Sequence, residues 1–168
     1  GVEVLTGETV LRIEGEEGDG RVRRVVTNQR TLAADIVILA AGVRPNSRLA
    51  KEAGLELSEQ GGIVVNEFLQ TSDPDIYAGG DCVENRSLVT GGPVFTPLGS
   101  LANRHGRVIA ARLAGKEERF PGVVGSFIVK VFDLCLAAAG LSQEEAIANR
   151  FDAERVLTVG YDRAHFMP

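Results

Sequence analysis

With 168 residues, 44% of them hydrophobic and 24% charged, the chain has the composition of one medium globular domain or parts of two. A formal net charge of −5 and the lack of any basic stripe argue against nucleic acid or an anionic membrane surface as a partner. No apolar run is long enough to cross a bilayer, and the first residues lack a charged segment followed by an apolar one, so no membrane association and a soluble, cytoplasmic protein are expected. Cys82 and Cys135 fit neither C-x-x-C nor a zinc spacing; both are expected to be reduced and buried, with no metal site.

In chain order, the first part is strand-rich. Val2 to Leu5, Val10 to Glu14, Val22 to Thr27 and Thr31 to Ala33 are separated by Gly15 to Gly20 and by Asn28-Gln29, a pattern that predicts an antiparallel meander. Asp35 to Ala41 changes character, because Ile36, Val37, Ile38 and Leu39 are apolar without alternation and suit a strand buried on both faces of a parallel sheet. Gly42 to Asn46 ends it, and Ser47 can cap a short helix through Ala53. Gly61-Gly62 then opens a strand over Ile63 to Val65.

Thr71 to Asp81 carries the most information. Pro74 makes Thr71 to Asp75 a turn, and Ile76 to Ala78 is apolar and strand-like. Gly79 and Gly80 let the backbone approach a ligand with no Cβ in the way, so Asp81 arrives at a strand's carboxyl end, where open α/β sheets bind ligands. A salt link from the Asp81 side chain on the outer surface, or a sheet in which its strand runs antiparallel to every neighbour, would end that reading.

Leu98 to Leu113 has a helical repeat, with Leu101, Val108, Ile109 and Leu113 recurring at separations of seven and four, and Gly115 closes it. Phe127 to Phe132 and Leu134 to Ala139 form a predicted hairpin around Asp133. Ser142 and Glu145 make a capping box for a helix to Asn149, and Val156 to Tyr161 is a last expected strand.

The eleven residues ending at Asp81 resemble the second flavin-binding motif of the pyridine nucleotide-disulfide oxidoreductases, in which the final Asp takes the ribityl hydroxyls of FAD. An ionised carboxylate accepts strong hydrogen bonds from a polyol and repels a phosphate. Nearly the whole chain resembles the branch of coenzyme A-disulfide reductases, NADH oxidases and peroxidases, and persulfide reductases. The matching pieces are Ala34 to Asn46, the Asp81 motif, Pro97-Leu98 with Ala102-Asn103-Arg104, and Val129 to Leu134.

That resemblance implies an α/β and α+β protein with a partial two-dinucleotide-binding-domain flavoprotein fold, a β-meander plus parallel strands, followed by the start of an interface domain. Residues 1–46 would end the NAD(P)H-binding domain, 47–119 would form the second half of the FAD-binding domain, and 120–168 would begin the dimerisation domain. Gly79, Gly80 and Asp81 would contact FAD. Gly42 would lie beside the nicotinamide end of NAD(P)H, and Pro97 and Leu98 against the flavin ring at a helix amino terminus, whose free N–H groups favour an anionic reduced flavin. Asn103 matches a position that contacts the thiol substrate in coenzyme A-disulfide reductases. His105 is expected to pack or face solvent rather than to transfer protons. Arg163 to Pro168 corresponds to a tail that reaches the partner's site in relatives, here without its tyrosines.

The chain contains no G-x-G-x-x-G turn, and neither cysteine matches the family's reactive position, so no catalytic residue is assigned. The expectation is a carboxyl-terminal portion of an enzyme that passes hydride from NAD(P)H through FAD to a thiol or disulfide, persulfide, or peroxide or oxygen substrate. Such an enzyme would be a homodimer through the region after Phe120. The isolated chain should be inactive, weak in FAD affinity, and marginal or oligomeric because the edges of Ile36 to Leu39 and Ile76 to Ala78 are bare. Two other readings are a flavin reductase for a ferredoxin, rubredoxin or nitrite-reducing partner, and a non-catalytic flavoprotein remnant.

Overall fold

Short β-branched runs broken by Gly and Asn do fold into the expected meander. In a computed structural model, which describes residues 1–16, 18 and 20–159, β1 (Val10–Gly15) pairs antiparallel with β2 (Val22–Thr27), and β2 with β3 (Thr31–Ala33). Register puts Ile13, Val25 and Leu32 in one apolar row across the three strands. The opposite face carries charge: Glu14 accepts from Arg12 on its own strand and from Arg24 across the ladder. Those two guanidiniums, Arg12 first, hold the Glu14 carboxyl below its ordinary value.

The chain divides into two compact units, Gly1–Gly42 and Val43–Pro168. In the first, the predicted strands Val2 to Leu5 and Ile36 to Leu39 are not formed. Ile36, Ile38 and Leu39 are 81%, 85% and 78% exposed. An unalternating apolar strand is buried only between two neighbours, and no described residue pairs with this run.

In the second unit, α1 (Arg48–Glu52) follows Ser47, whose hydroxyl does not cap it but donates to the Gly61 carbonyl at 2.6 Å. β4 (Asn85–Arg86) and β5 (Pro93–Val94) form a two-stranded ladder, and α2 (Gly99–Leu113) is the long helix. It ends in a Schellman motif: Gly115, at φ +77°, donates to Arg112 and Lys116 donates to Ala111. β6 (Phe127–Val131) and β7 (Leu134–Ala138) form the predicted hairpin, turned by Phe132 at φ +53°, and every residue of both strands is exposed. α3 (Gln143–Ala148) begins in the Ser142–Glu145 capping box, whose hydrogen bonds lower the Glu145 carboxyl's pKa.

The expected parallel strands shrink to single bridges. Ile63 bridges Val83 in parallel and Leu57 antiparallel, Ser87 bridges Val123 in parallel, and Tyr77 bridges Gln70 antiparallel. Residues 156–159 are not a strand, and Gly160 to Pro168, including the Arg163 to Pro168 tail, lie outside the described residues. Two apolar clusters hold the second unit. One joins Leu69, Val108, Phe120 and Val123; the other joins Ala50, Ile63 and Val83, flanked by Ala78 and Cys82.

Candidate functional site

The turn before Asp81 is built as its residues dictate. Thr71 Oγ1 accepts the Asp73 N–H at 3.2 Å and Asp73 Oδ1 accepts the Asp75 N–H at 2.9 Å, while Pro74 offers its carbonyl to Gln70 Nε2 at 2.7 Å. The Ala78 N–H then bonds the Leu69 carbonyl at 3.0 Å, and beyond the loop the Ile63 N–H bonds the Cys82 carbonyl at 2.8 Å. Gly79, Gly80 and Asp81 thus form a short arch held at both feet.

Helix α2 lies directly against that arch. A Cβ on Gly79 would stand 2.8 Å from His105 Cβ and 3.1 Å from Ile109 Cδ1, so what the missing side chain admits is the helix, not a ligand. Gly80 has φ +89°, a left-handed conformation that side chains resist, and its position faces Ala102 at 3.7 Å. Its N–H donates to His105 Nδ1 at 3.0 Å.

His105 is fully buried, so of the two orientations expected for it the packed one holds. Its ring meets Phe120 edge to face at 4.3 Å, and Nε2 has no hydrogen-bond partner among the described residues. Burial, then the neighbouring Arg104 cation, lowers its pKa; the Asp81 carboxylate pulls the other way. The sequence carried a usable signal for this position, since Leu101, His105 and Val108 recur at helical spacing and His105 shares their inward face.

The Asp81 side chain is exposed and makes no hydrogen bond or ion pair among the described residues. It forms no outer salt link among the described residues. Among the described residues Ile76 to Ala78 joins no sheet; its single bridge, Tyr77 to Gln70, is antiparallel, so the expected placement at the end of a parallel strand is not reproduced. Near it, α2 starts without a side-chain cap: Leu98 is its extended N-cap residue, no acidic residue sits in the first turn, and the Gly99 and Ser100 N–H groups find no acceptor among the described residues. Pro97 and Leu98 are half-buried beside this end.

Asn103 is exposed on α2 and donates through Nδ2 to the Gly99 carbonyl at 3.0 Å. Gly42, at φ +85° with open space around it, belongs to the first unit and is described there alone. Cys82 is half-buried with its thiol 3.4 Å from the Gly79 carbonyl, whereas Cys135 is exposed on β7, contrary to expectation, because neither face of the hairpin is covered. An exposed carboxylate on an anchored arch, next to free N–H groups of a helix start, is chemistry suited to hydroxyls and to a ring that gains negative charge.

Residues 1–111 match the family model of the pyridine nucleotide-disulphide oxidoreductases. An NAD(P)H coenzyme A polysulfide/persulfide reductase of Pyrococcus horikoshii is 40% identical over 161 residues, covering 96% of this chain and 36% of that protein. The solved structure of an NAD-dependent persulfide reductase from A. fulgidus is 43% identical with a TM-score of 0.89, over 100% of this chain and 31% of the other. That of an FAD-dependent pyridine nucleotide-disulphide oxidoreductase from Desulfovibrio vulgaris is 56% identical with a TM-score of 0.81, over 88% and 37%. The chain therefore spans little more than a third of the length of the curated relative it matches. By sequence and by shape, this chain belongs to the pyridine nucleotide-disulphide oxidoreductase family.

Proposed function

We propose that this chain serves as the flavin-gripping part of an FAD-dependent NAD(P)H oxidoreductase that delivers hydride, by way of the flavin, to a thiol or disulfide, persulfide, or peroxide or oxygen acceptor. The observation that carries this is the Asp81 carboxylate, exposed and unpartnered among the described residues, on an arch anchored through Gly80 to His105. Similarity to a persulfide reductase over 96% of the chain supports the acceptor class.

The residues present fit one part of FAD. Asp81 would accept hydrogen bonds from ribityl hydroxyls, and the start of α2, with Pro97 and Leu98, would border the ring. The sequence holds no G-x-G-x-x-G turn for a pyrophosphate. When bound, FAD supplies two-electron acceptance from a reduced nicotinamide; this chain's residues bind and orient. Asn103 as a thiol-substrate contact, Gly42 beside the nicotinamide, the segments 1–46, 47–119 and 120–168, and homodimerisation after Phe120 complete the same proposal. Uncovered apolar residues on β6 and β7 support the pairing.

The test is Asp81→Ala in the complete flavoprotein that carries this chain, with FAD affinity read by flavin fluorescence. Losing charge-assisted hydrogen bonds worth about 1.5–3 kcal/mol should weaken binding about 10- to 150-fold. Unchanged affinity would overturn the assignment.

A further inference from the structure

Gly80 reaches its left-handed conformation without steric cost, and for the same reason it can leave it, so its conformation is set by its contacts. The contact here comes from a fully buried imidazole. Because Nδ1 accepts the Gly80 N–H, Nδ1 carries no proton, so the neutral ring must carry its proton on Nε2. Nε2 is itself buried without a hydrogen-bond partner among the described residues. The ring has little freedom to turn: Gly79 closes on its Cβ side and Phe120 meets it edge to face.

We infer that His105 is a positioning residue for the flavin-binding carboxylate: its Nε2-protonated, neutral imidazole fixes Gly80 in the left-handed conformation that presents Asp81, and protonation of the ring releases that hold. The inference rests on the flavin role proposed for Asp81, although the link between His105 and Gly80 can be tested without it. Protonation would place an N–H on Nδ1 facing the Gly80 N–H, two donors with no acceptor between them.

Two charged groups act on the ring, Arg104 from its own helix and Asp81 from the arch; the segment bearing Phe120 presents an uncharged ring. Burial and Arg104 favour the neutral imidazole, and Asp81 opposes them. A histidine whose folded-state pKa lies below its ordinary value stabilises the fold fully above about pH 6.5. That contribution is lost as pH falls through the lowered value, so the arch should open on the acid side.

The experiment compares His105→Leu, which removes the acceptor, with His105→Asn, whose Oδ1 can replace Nδ1, in the complete flavoprotein that carries this chain. Amide exchange at Gly80 in the flavin-free protein should show protection at pH 7 that falls on acidification in step with the imidazole. His105→Leu should be unprotected throughout, and His105→Asn protected without the acid step. FAD affinity at pH 7 should drop about tenfold in His105→Leu and stay within about twofold in His105→Asn. Equal Gly80 protection in His105→Leu and the parent would overturn the inference, as would equal FAD affinity in the two variants. Should Asp81→Ala leave FAD affinity unchanged while the Gly80 step persists, the flavin role fails and the His105 link to Gly80 stands.

Discussion

Gly79→Ala probes with a single methyl how closely the arch packs on α2. The added Cβ would stand 2.8 Å from His105 Cβ, about 0.6 Å short of the 3.4 Å where ordinary contact begins, and 3.1 Å from Ile109 Cδ1. His105 Cβ is fixed to the backbone of α2, so relief requires the helix to shift rather than a side-chain tip to swing. Overpacking of this kind costs about 1–3 kcal/mol. Gly106→Ala is the matched control, because it lies inside the same helix with nothing within 4 Å of its would-be Cβ. There the methyl lowers the entropy cost of helix formation and should stabilise by about 0.5–1 kcal/mol. Urea unfolding followed by far-ultraviolet circular dichroism would read both, the chain having no tryptophan to report by fluorescence. Opposite signs are expected. If Gly79→Ala stays within about 0.5 kcal/mol of the parent, the close packing of the arch on α2 is wrong.

Ser142→Ala should cost about 1 kcal/mol of local stability at α3, seen as faster exchange of the Glu145 and Ala146 amides. The same protection should weaken on acidification, because the Glu145 carboxyl titrates below its ordinary value and its cap is present above that range and lost as pH falls through the lowered value. For the hairpin, the cross-strand pair Val129 and Leu136 offers a clean probe. Val129→Lys with Leu136→Glu leaves an opposite-charge pair across the ladder but puts charges on the apolar surface, and should weaken self-association about tenfold or more by analytical ultracentrifugation. Undiminished association would remove the hairpin from the proposed dimer contact.

Features that depend on nearby residues were legible from the sequence. The meander, the hairpin around Asp133, the Ser142–Glu145 box and the turn at Pro74 all follow from local chemistry, and α2 from the spacing of Leu101, Val108 and Ile109. Features that depend on a distant partner were not. Ile36 to Leu39 reads as a doubly buried strand, yet burial needs neighbours that no described residue provides. Ser47 reads as a helix cap, but its hydroxyl finds the Gly61 carbonyl instead. Within the candidate site, Asp81 and the two glycines were visible as a motif, while the reason for Gly79 was not. Nothing in the tripeptide reveals that a helix arrives later in the chain and needs the space. His105 was undervalued for the same reason, since its acceptor role exists only once the arch folds over α2.

The hairpin of β6 and β7 has all ten of its strand residues in contact with water. A lone two-stranded ladder is marginal in water, so whatever eventually covers this one must also supply the free energy that orders it. Docking there would be coupled to folding: a large negative heat-capacity change, an opposing conformational entropy, and less affinity per unit area than a prearranged surface would give.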